Sequence, residues 1–213
     1  MNKEVIERLK NFDIYMFDFD GTLIDTEPSH IKAHNAVLSE LLNKPFEFIT
    51  KEFVVKYGGK SDDEIYELYK KDFNLEYDSK EMISKKMEYS AKFLEESGNK
   101  IFDYFFELVK TKANKEFYIF SNSYSSVINK VLKRQKVQGF INKIFSLPEL
   151  KINKKEFLIN LQKYVNITNK KVVVFEDNAN TLNLAKSLGF EIVGIESESN
   201  KGRLDFVENL LKY

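Results

Sequence analysis

The sequence contains no cysteine among its 213 residues. A disulfide framework, a thiolate zinc site and a cysteine nucleophile are therefore excluded. An excess of either charge is also missing, since 33 lysine and arginine residues balance 33 aspartate and glutamate residues. Without net charge there is no general electrostatic reason to expect binding to nucleic acid or to an anionic membrane. Small neutral or anionic substrates are compatible with this composition.

Long apolar runs are absent as well. No run approaches the roughly 20 residues that a membrane-spanning helix needs, and the charged start MNKEVIERLK lacks the apolar core of a signal peptide. We therefore expect a cytoplasmic protein that does not bind membranes, and we expect a monomer. Apolar residues make up 43% and aromatic residues 14% of the chain, which is enough for one sizeable domain carrying a smaller insertion.

Strands and helices alternate along most of the chain. Short apolar segments predict buried strands, and segments with helical periodicity separate them; the strands are expected at 13–19, 116–121, 143–146, 171–176 and 191–195. This alternation predicts an α/β fold with a Rossmann-like, doubly wound parallel sheet. A helical block interrupts it. We therefore expect a core domain made of residues 1–28 and 99–213, and an inserted α-helical domain made of residues 29–98.

Polar residues stand at the carboxyl ends of three predicted strands, in the pairs Asp18 and Asp20, Ser121 and Asn122, and Glu176 and Asp177. In an open parallel sheet the functional crevice lies beyond these ends, so the pairs should meet at one edge. Clustered carboxylates repel one another unless a cation lies among them, and oxygen ligands favour Mg²⁺. One aspartate could then attack phosphorus while the other exchanges protons with the leaving group and water. Ser121, the amide that follows it and a lysine would bind the phosphoryl oxygens.

Four segments in this order, DFDGTLIDTE, FYIFSNS, a lysine before a helix and VVVFEDN, resemble the four motifs of the haloacid dehalogenase (HAD) superfamily, in its phosphatase and phosphoglucomutase-like branch. The resemblance implies that Asp18 is the nucleophile and that Asp20 is the general acid/base, whose backbone carbonyl also reaches Mg²⁺. It implies that Ser121 binds phosphate, with the Asn122 amide beside it. Glu176 and Asp177 would complete the metal site, and the helical insertion would be a cap that closes over the active site and selects the substrate.

Two parts of the family pattern are altered in this chain. The usual residues around the third motif are absent, and aligning Phe157 with the aromatic that normally follows places Lys151 in the lysine's position, with Lys154 as the second choice. In the cap, the segment YGGKSDDE resembles the substrate-specificity loop, with Gly59, Lys60 and Ser61 as expected contacts. A sugar-phosphate mutase would have an arginine at this loop, but the nearest match here is Asp62, which weakens that reading.

Each motif also has a structural alternative. The aspartates of the first motif could form a turn, and the pairs at 121–122 and 176–177 could cap helices. His30 lies twelve residues after Asp18, like a histidine that many capped members turn toward the active site, and it could equally be structural; His34 is interpreted as a packing residue.

The sequence therefore predicts a Mg²⁺-dependent phosphatase that hydrolyses a small phosphorylated metabolite, such as a sugar phosphate, through an aspartyl phosphate. One alternative is a β-phosphoglucomutase-like sugar-phosphate mutase. A second is a binding or regulatory protein that has kept the fold without the activity, and the presence of all the acidic motif residues argues against it.

Overall fold

The computed structural model describes residues 3–47, 56–57, 60, 62–110, 114–197, 204 and 207–212. The chain forms two compact units. The core unit consists of residues 1–25 and 100–213, and the helical unit consists of residues 26–99. Within the described ranges, no helix has the length and apolar character needed to cross a membrane.

The core unit is built on a six-stranded sheet in the order β3-β2-β1-β4-β5-β6. Its strands are β1 (Ile14–Phe17), β2 (Glu116–Ser121), β3 (Lys143–Ser146), β4 (Val172–Glu176), β5 (Glu191–Glu196) and β6 (Leu210–Lys212). All neighbouring strands run parallel. The predicted Rossmann-like α/β fold is thus confirmed, and each of the five predicted strands is present.

Helices occur between the strands and in the helical unit. They are α1 (Lys3–Leu9), α2 (Glu27–Leu42), α3 (Asp62–Phe73), α4 (Ser79–Glu96), α5 (Asp103–Val109), α6 (Ser125–Arg134), α7 (Leu147–Leu150), α8 (Lys154–Ile159) and α9 (Ala179–Ser187), with 3₁₀ turns at Gln138–Phe140 and Leu161–Lys163.

Strand β1 lies in the interior of the sheet, and both of its faces are apolar. It pairs with β2 on one side and β4 on the other, and all four of its residues are buried. Tyr15 and Phe17 point to one face, where their rings lie in an aromatic cluster with Phe117 and Phe175. Met16 belongs to the core on the opposite face, together with residues of α8 and α9. This burial on both sides explains the unbroken apolar run in the sequence.

The helical unit has an apolar core of its own. Helix α2 has Pro28 in its first turn and ends at Leu42, and the next residue, Asn43, adopts the left-handed conformation with φ 49°. Leu38, Tyr66 and Tyr69 are fully buried in this core. Lys86 is also buried and forms an ion pair of 3.0 Å with Asp62. The described residues of this unit contain helices and no named strand.

Candidate active site

The carboxyl ends of β1 and β4 bring three acidic side chains together. Phe17 is in register with Phe175, so Asp18 and Glu176 follow at the same level of the sheet. One carboxylate oxygen from each of Asp18, Glu176 and Asp177 lies within 4.8 Å of the other two. Asp18 and Glu176 are buried, and Asp177 is partly exposed. The sequence-based expectation that these residues share one edge of the sheet agrees with this geometry.

Lys154 is the cation that contacts this cluster. Its Nζ lies 2.9 Å from Asp18 Oδ2 and 2.8 Å from Glu176 Oε2, and its side chain is only 18% exposed. Asn153 caps α8 by accepting a hydrogen bond from the Glu156 amide at 2.9 Å. Lys154 is therefore the first residue of the helix, where side chains lean back toward the helix start.

Lys151 was the first choice from the sequence, but the lysine that contacts the carboxylates is Lys154, the second choice. Lys151 is an exposed residue that ends the short helix α7 in the left-handed conformation, with φ 58°. Its amide donates to the Pro148 carbonyl. Residues 151–153 form the turn between α7 and α8. Of the two lysines, Lys154 is therefore the one that reaches the strand ends, because it is the first residue of α8.

Glu176 is held on both of its oxygens. Oε2 accepts from Lys154, and Oε1 accepts from the amides of Asp177 and Asn178, both at 3.2 Å. The cap of α9 is Asn178, whose side chain accepts from the amides of Asn180 and Thr181. The structural alternative, in which Glu176 and Asp177 themselves cap this helix, is therefore wrong.

Burial and mutual repulsion alter the acidity of this cluster. Burial raises the pKa of the Asp18 carboxyl well above its usual range, and the nearby Glu176 carboxylate raises it further. Burial also raises the pKa of Glu176 to about 7 and that of Asp177 to about 6. Burial alone would lower the pKa of Lys154, but Asp18 and Glu176 outweigh this effect and raise that pKa. In their ionised forms, three carboxylates facing one ammonium carry an excess of negative charge, and this repulsion is one cause of the raised pKa values.

Gly21 makes room for Asp177. Its φ is +71°, and a Cβ at this position would lie 2.9 Å from Asp177 Cγ and closer still to Oδ2. The next residue, Thr22, places its hydroxyl 3.5 Å from Asp177 Oδ1. The turn after β1 thus requires glycine both for its backbone conformation and for the position of an acidic side chain that directly follows β4.

Asp20 contacts two serine hydroxyls from the end of β2. Its Oδ2 accepts from Ser121 Oγ at 3.2 Å and from Ser123 Oγ at 2.7 Å. The Ser123 amide in turn donates to Ser121 Oγ at 2.9 Å. Asn122 lies between the two serines with its side chain exposed. The first two motifs are therefore joined directly by hydrogen bonds.

The residues expected to contact substrate belong to the helical unit. His30 Nδ1 lies 3.2 Å from Ser90 Oγ, and Lys60 is exposed, with its amide donating to the Tyr57 carbonyl. Gly59 and Ser61 lie outside the described residues. His34 is buried against the rings of tyrosines 66 and 69, and burial lowers its pKa well below the usual value, in keeping with a packing role.

Sequence reasoning missed Ser123 and Gly21 as parts of the site and ranked Lys154 second. The cap formed by Asn153 was recognisable in the sequence and could have identified Lys154 as the first helical residue. Gly21 is part of the quoted DFDGT segment, but its proximity to Asp177 involves residues far apart in the chain. Ser123 likewise ends the quoted FYIFSNS segment, but its contact with Asp20 also joins residues far apart in the chain.

Residues 15–195 match the family model of the haloacid dehalogenase-like hydrolases. No curated protein matches the sequence significantly.

Several solved structures share the fold. CbbY from Rhodobacter sphaeroides, in complex with phosphate, has 14% identity and a TM-score of 0.75, covering 94% of this chain and 93% of that one. A provisionally assigned β-phosphoglucomutase from Thermotoga maritima has 21% identity and a TM-score of 0.69, covering 94% of both chains. The provisionally assigned HAD-type hydrolase YfnB from Bacillus subtilis, bound to magnesium, has 15% identity and a TM-score of 0.64, covering 87% of this chain and 89% of that one.

Proposed function

Because this chain belongs to the haloacid dehalogenase-like hydrolases, we propose that it is a Mg²⁺-dependent phosphatase that hydrolyses a small phosphorylated metabolite through an aspartyl phosphate. The observation that carries the proposal is the convergence of Asp18, Glu176, Asp177 and Lys154 at one edge of the sheet. The phosphate bound to CbbY, a protein of similar fold, adds support.

Asp18 is the proposed nucleophile. The ion pair with Lys154 fixes one of its oxygens, and its amide donates to the Phe175 carbonyl, so both its backbone and its side chain are anchored. One carboxylate oxygen attacks phosphorus, and the bond between phosphorus and the leaving oxygen breaks as the new bond forms. The product of this first step is an acyl phosphate on Asp18.

Asp20 is the proposed general acid and base. Its carboxyl group gives a proton to the leaving oxygen in the first step, and its carboxylate then takes a proton from the water that attacks the acyl phosphate. The bond between Asp18 and phosphorus breaks in this second step, releasing inorganic phosphate and returning both aspartates to their starting states. The hydrogen bonds from Ser121 and Ser123 support this role because they hold the Asp20 carboxylate in one orientation.

The donor set suits Mg²⁺, which prefers carboxylate oxygens and keeps part of its water shell. Asp18, Glu176 and Asp177 would hold the ion, with the Asp20 backbone carbonyl as a further ligand. Each carboxylate oxygen has two acceptor sites, so Glu176 can bind a cation while it still accepts from Lys154. When bound, Mg²⁺ would supply positive charge to the transferring phosphoryl group. The magnesium bound to YfnB is a supporting parallel.

Lys154, the Ser121 hydroxyl and the Asn122 amide are the proposed phosphate ligands. Lys154 is preferred to Lys151 because only Lys154 contacts the proposed nucleophile. Charge on the phosphoryl oxygens must be balanced during transfer, and preorganised donors do this at little reorganisation cost. We propose that the helical unit acts as the cap and that His30, Gly59, Lys60 and Ser61 help to select the substrate.

A screen of purified protein against a few dozen phosphorylated metabolites with Mg²⁺ tests the proposal. Both phosphate release and isomer formation should be scored. We expect phosphate release from at least one small phosphomonoester. Isomer formation that depends on a trace of bisphosphorylated sugar would instead indicate a mutase. That activity is provisionally assigned to the Thermotoga maritima protein, whose fold is similar to that of this chain. No reaction with any member of the panel would favour a binding protein.

A further inference from the structure

Ser123 makes the shorter of the two serine contacts to Asp20. The distance from Ser123 Oγ to Asp20 Oδ2 is 2.7 Å, compared with 3.2 Å from Ser121 Oγ. A hydroxyl that donates to a carboxylate at this distance forms a charge-assisted hydrogen bond, which is stronger than a bond between neutral groups. From this geometry we infer that Ser123 is a positioning residue for Asp20, an inference that rests on the proposed phosphatase function.

The proton count of Ser121 explains why a second serine is needed. A serine hydroxyl has one proton to donate. In the structure Ser121 donates it to Asp20, so it cannot donate to a phosphate oxygen at the same time. Substrate binding through Ser121 therefore requires it to release Asp20. Ser123 can keep its own hydrogen bond through this exchange, which holds the proposed acid/base in place when it must reach the leaving oxygen.

The two polar groups of Ser123 have separable tasks. Its amide donates to Ser121 Oγ at 2.9 Å and so fixes the turn after β2, whereas its hydroxyl contacts Asp20. Ser123→Ala removes the hydroxyl and keeps the amide. The turn and the phosphate-binding hydroxyl of Ser121 should therefore survive the substitution, and Asp20 alone should lose orientation.

The chain offers a matched control two residues further on. Ser125 Oγ donates to Glu149 Oε1 at 2.8 Å, and the Ser125 amide contacts the same oxygen at 2.9 Å. Ser125→Ala therefore deletes a hydroxyl that also bonds to a carboxylate, but one outside the proposed catalytic groups. Ser123→Thr is the complementary variant, because it restores a hydroxyl at position 123.

The experiment compares phenyl phosphate with p-nitrophenyl phosphate. The two esters have nearly the same shape, but nitrophenolate leaves readily without a proton, so only phenyl phosphate depends strongly on the general acid. We expect Ser123→Ala to lower kcat/KM by about tenfold on phenyl phosphate and by less than about threefold on p-nitrophenyl phosphate. The ratio kcat/KM reports the steps up to departure of the leaving group, where positioned acid catalysis is lost, whereas kcat also includes hydrolysis of the acyl phosphate, which is common to both esters. Ser123→Thr and Ser125→Ala should resemble the wild type.

Equal loss on both esters, or identical behaviour of Ser123→Ala and Ser125→Ala, would overturn the inference while leaving the phosphatase assignment intact. No turnover of any phosphomonoester by the wild type would instead overturn the assignment itself. Crystal structures of the wild type and Ser123→Ala with inorganic phosphate bound give a readout that needs no turnover. Phosphate draws the Ser121 hydroxyl away from Asp20, so the Asp20 carboxylate should leave its wild-type orientation in the variant, and an unchanged orientation would contradict the inference.

Discussion

Replacing Gly21 by alanine should disable the site, because the new methyl group would collide with the side chain of Asp177, which is distant in the sequence. A Cβ on residue 21 would lie 2.9 Å from Asp177 Cγ, a separation that real Cβ atoms essentially never show. Either the turn at residue 21 or Asp177 must therefore shift, and Asp177 is one of the three clustered carboxylates. Displacement of a reacting or metal-binding group by about 1 Å can reduce turnover by roughly 10²-fold.

The stability cost has two parts. The left-handed φ of +71° costs an alanine about 1–2 kcal/mol, offset by about 0.4–1 kcal/mol because alanine has less freedom than glycine in the unfolded chain. The collision with Asp177 adds about 1–3 kcal/mol, the usual range for inserting a group into a packed region. Gly21→Ala should therefore lower the free energy of unfolding by about 1–5 kcal/mol.

Gly189 provides the matched control. It also has a positive φ, +84°, but a Cβ there would meet nothing within 4 Å. Gly189→Ala should therefore show the backbone cost alone, about 0–2 kcal/mol, with turnover unchanged. Urea denaturation measures the first quantity and phosphate release the second. Turnover by Gly21→Ala within about threefold of the wild type, or equal stability losses in the two variants, would refute this account of Gly21.

Three further predictions concern the proposed catalytic groups. Lys154→Ala should reduce kcat/KM by about 10²-fold or more because it removes a preorganised charge beside the nucleophile, whereas Lys151→Ala should stay within about twofold of the wild type. The reverse order of the two losses in a steady-state assay would assign the phosphate-binding role to Lys151. Activity should vanish with EDTA and return with Mg²⁺ or Mn²⁺. Ca²⁺ should inhibit, because its larger coordination shell would engage both oxygens of Asp18. Full activity in the presence of chelator would exclude a metal requirement. Asp20→Asn should slow turnover by roughly 10²-fold or more with Mg²⁺ affinity, measured by calorimetry, retained. Near-normal turnover would assign the acid/base elsewhere.

The sheet was predictable because its strands are short and covered on both faces. The run at 14–17 has no polar residue and lies at the centre of the sheet, so its sequence admits few alternatives. The position of the acidic residues followed from the same rule, since Asp18 and Glu176 end neighbouring parallel strands. Strand β6 carries only three residues, Leu210–Lys212, and such a short edge strand has no sequence pattern of its own.

Side-chain placement within the site was less predictable. Lys151 and Lys154 are separated by one turn, and which of them reaches Asp18 depends on the left-handed conformation of Lys151, which its residue type does not indicate. The contact from Ser123 to Asp20 joins residues 103 positions apart. Such contacts depend on how two loops approach each other, and neither loop's sequence contains that information.

The proposed chemistry depends on covalent transfer of phosphate to Asp18, and rapid quench with phosphorus-labelled substrate tests this most directly. The wild type should trap a labelled acyl phosphate, and peptide mapping should place the label on Asp18. Asp18→Asn keeps the shape of the side chain but removes its charge, so it should trap no label and leave only trace turnover. Label on another residue, or turnover by Asp18→Asn within about tenfold of the wild type, would contradict the mechanism.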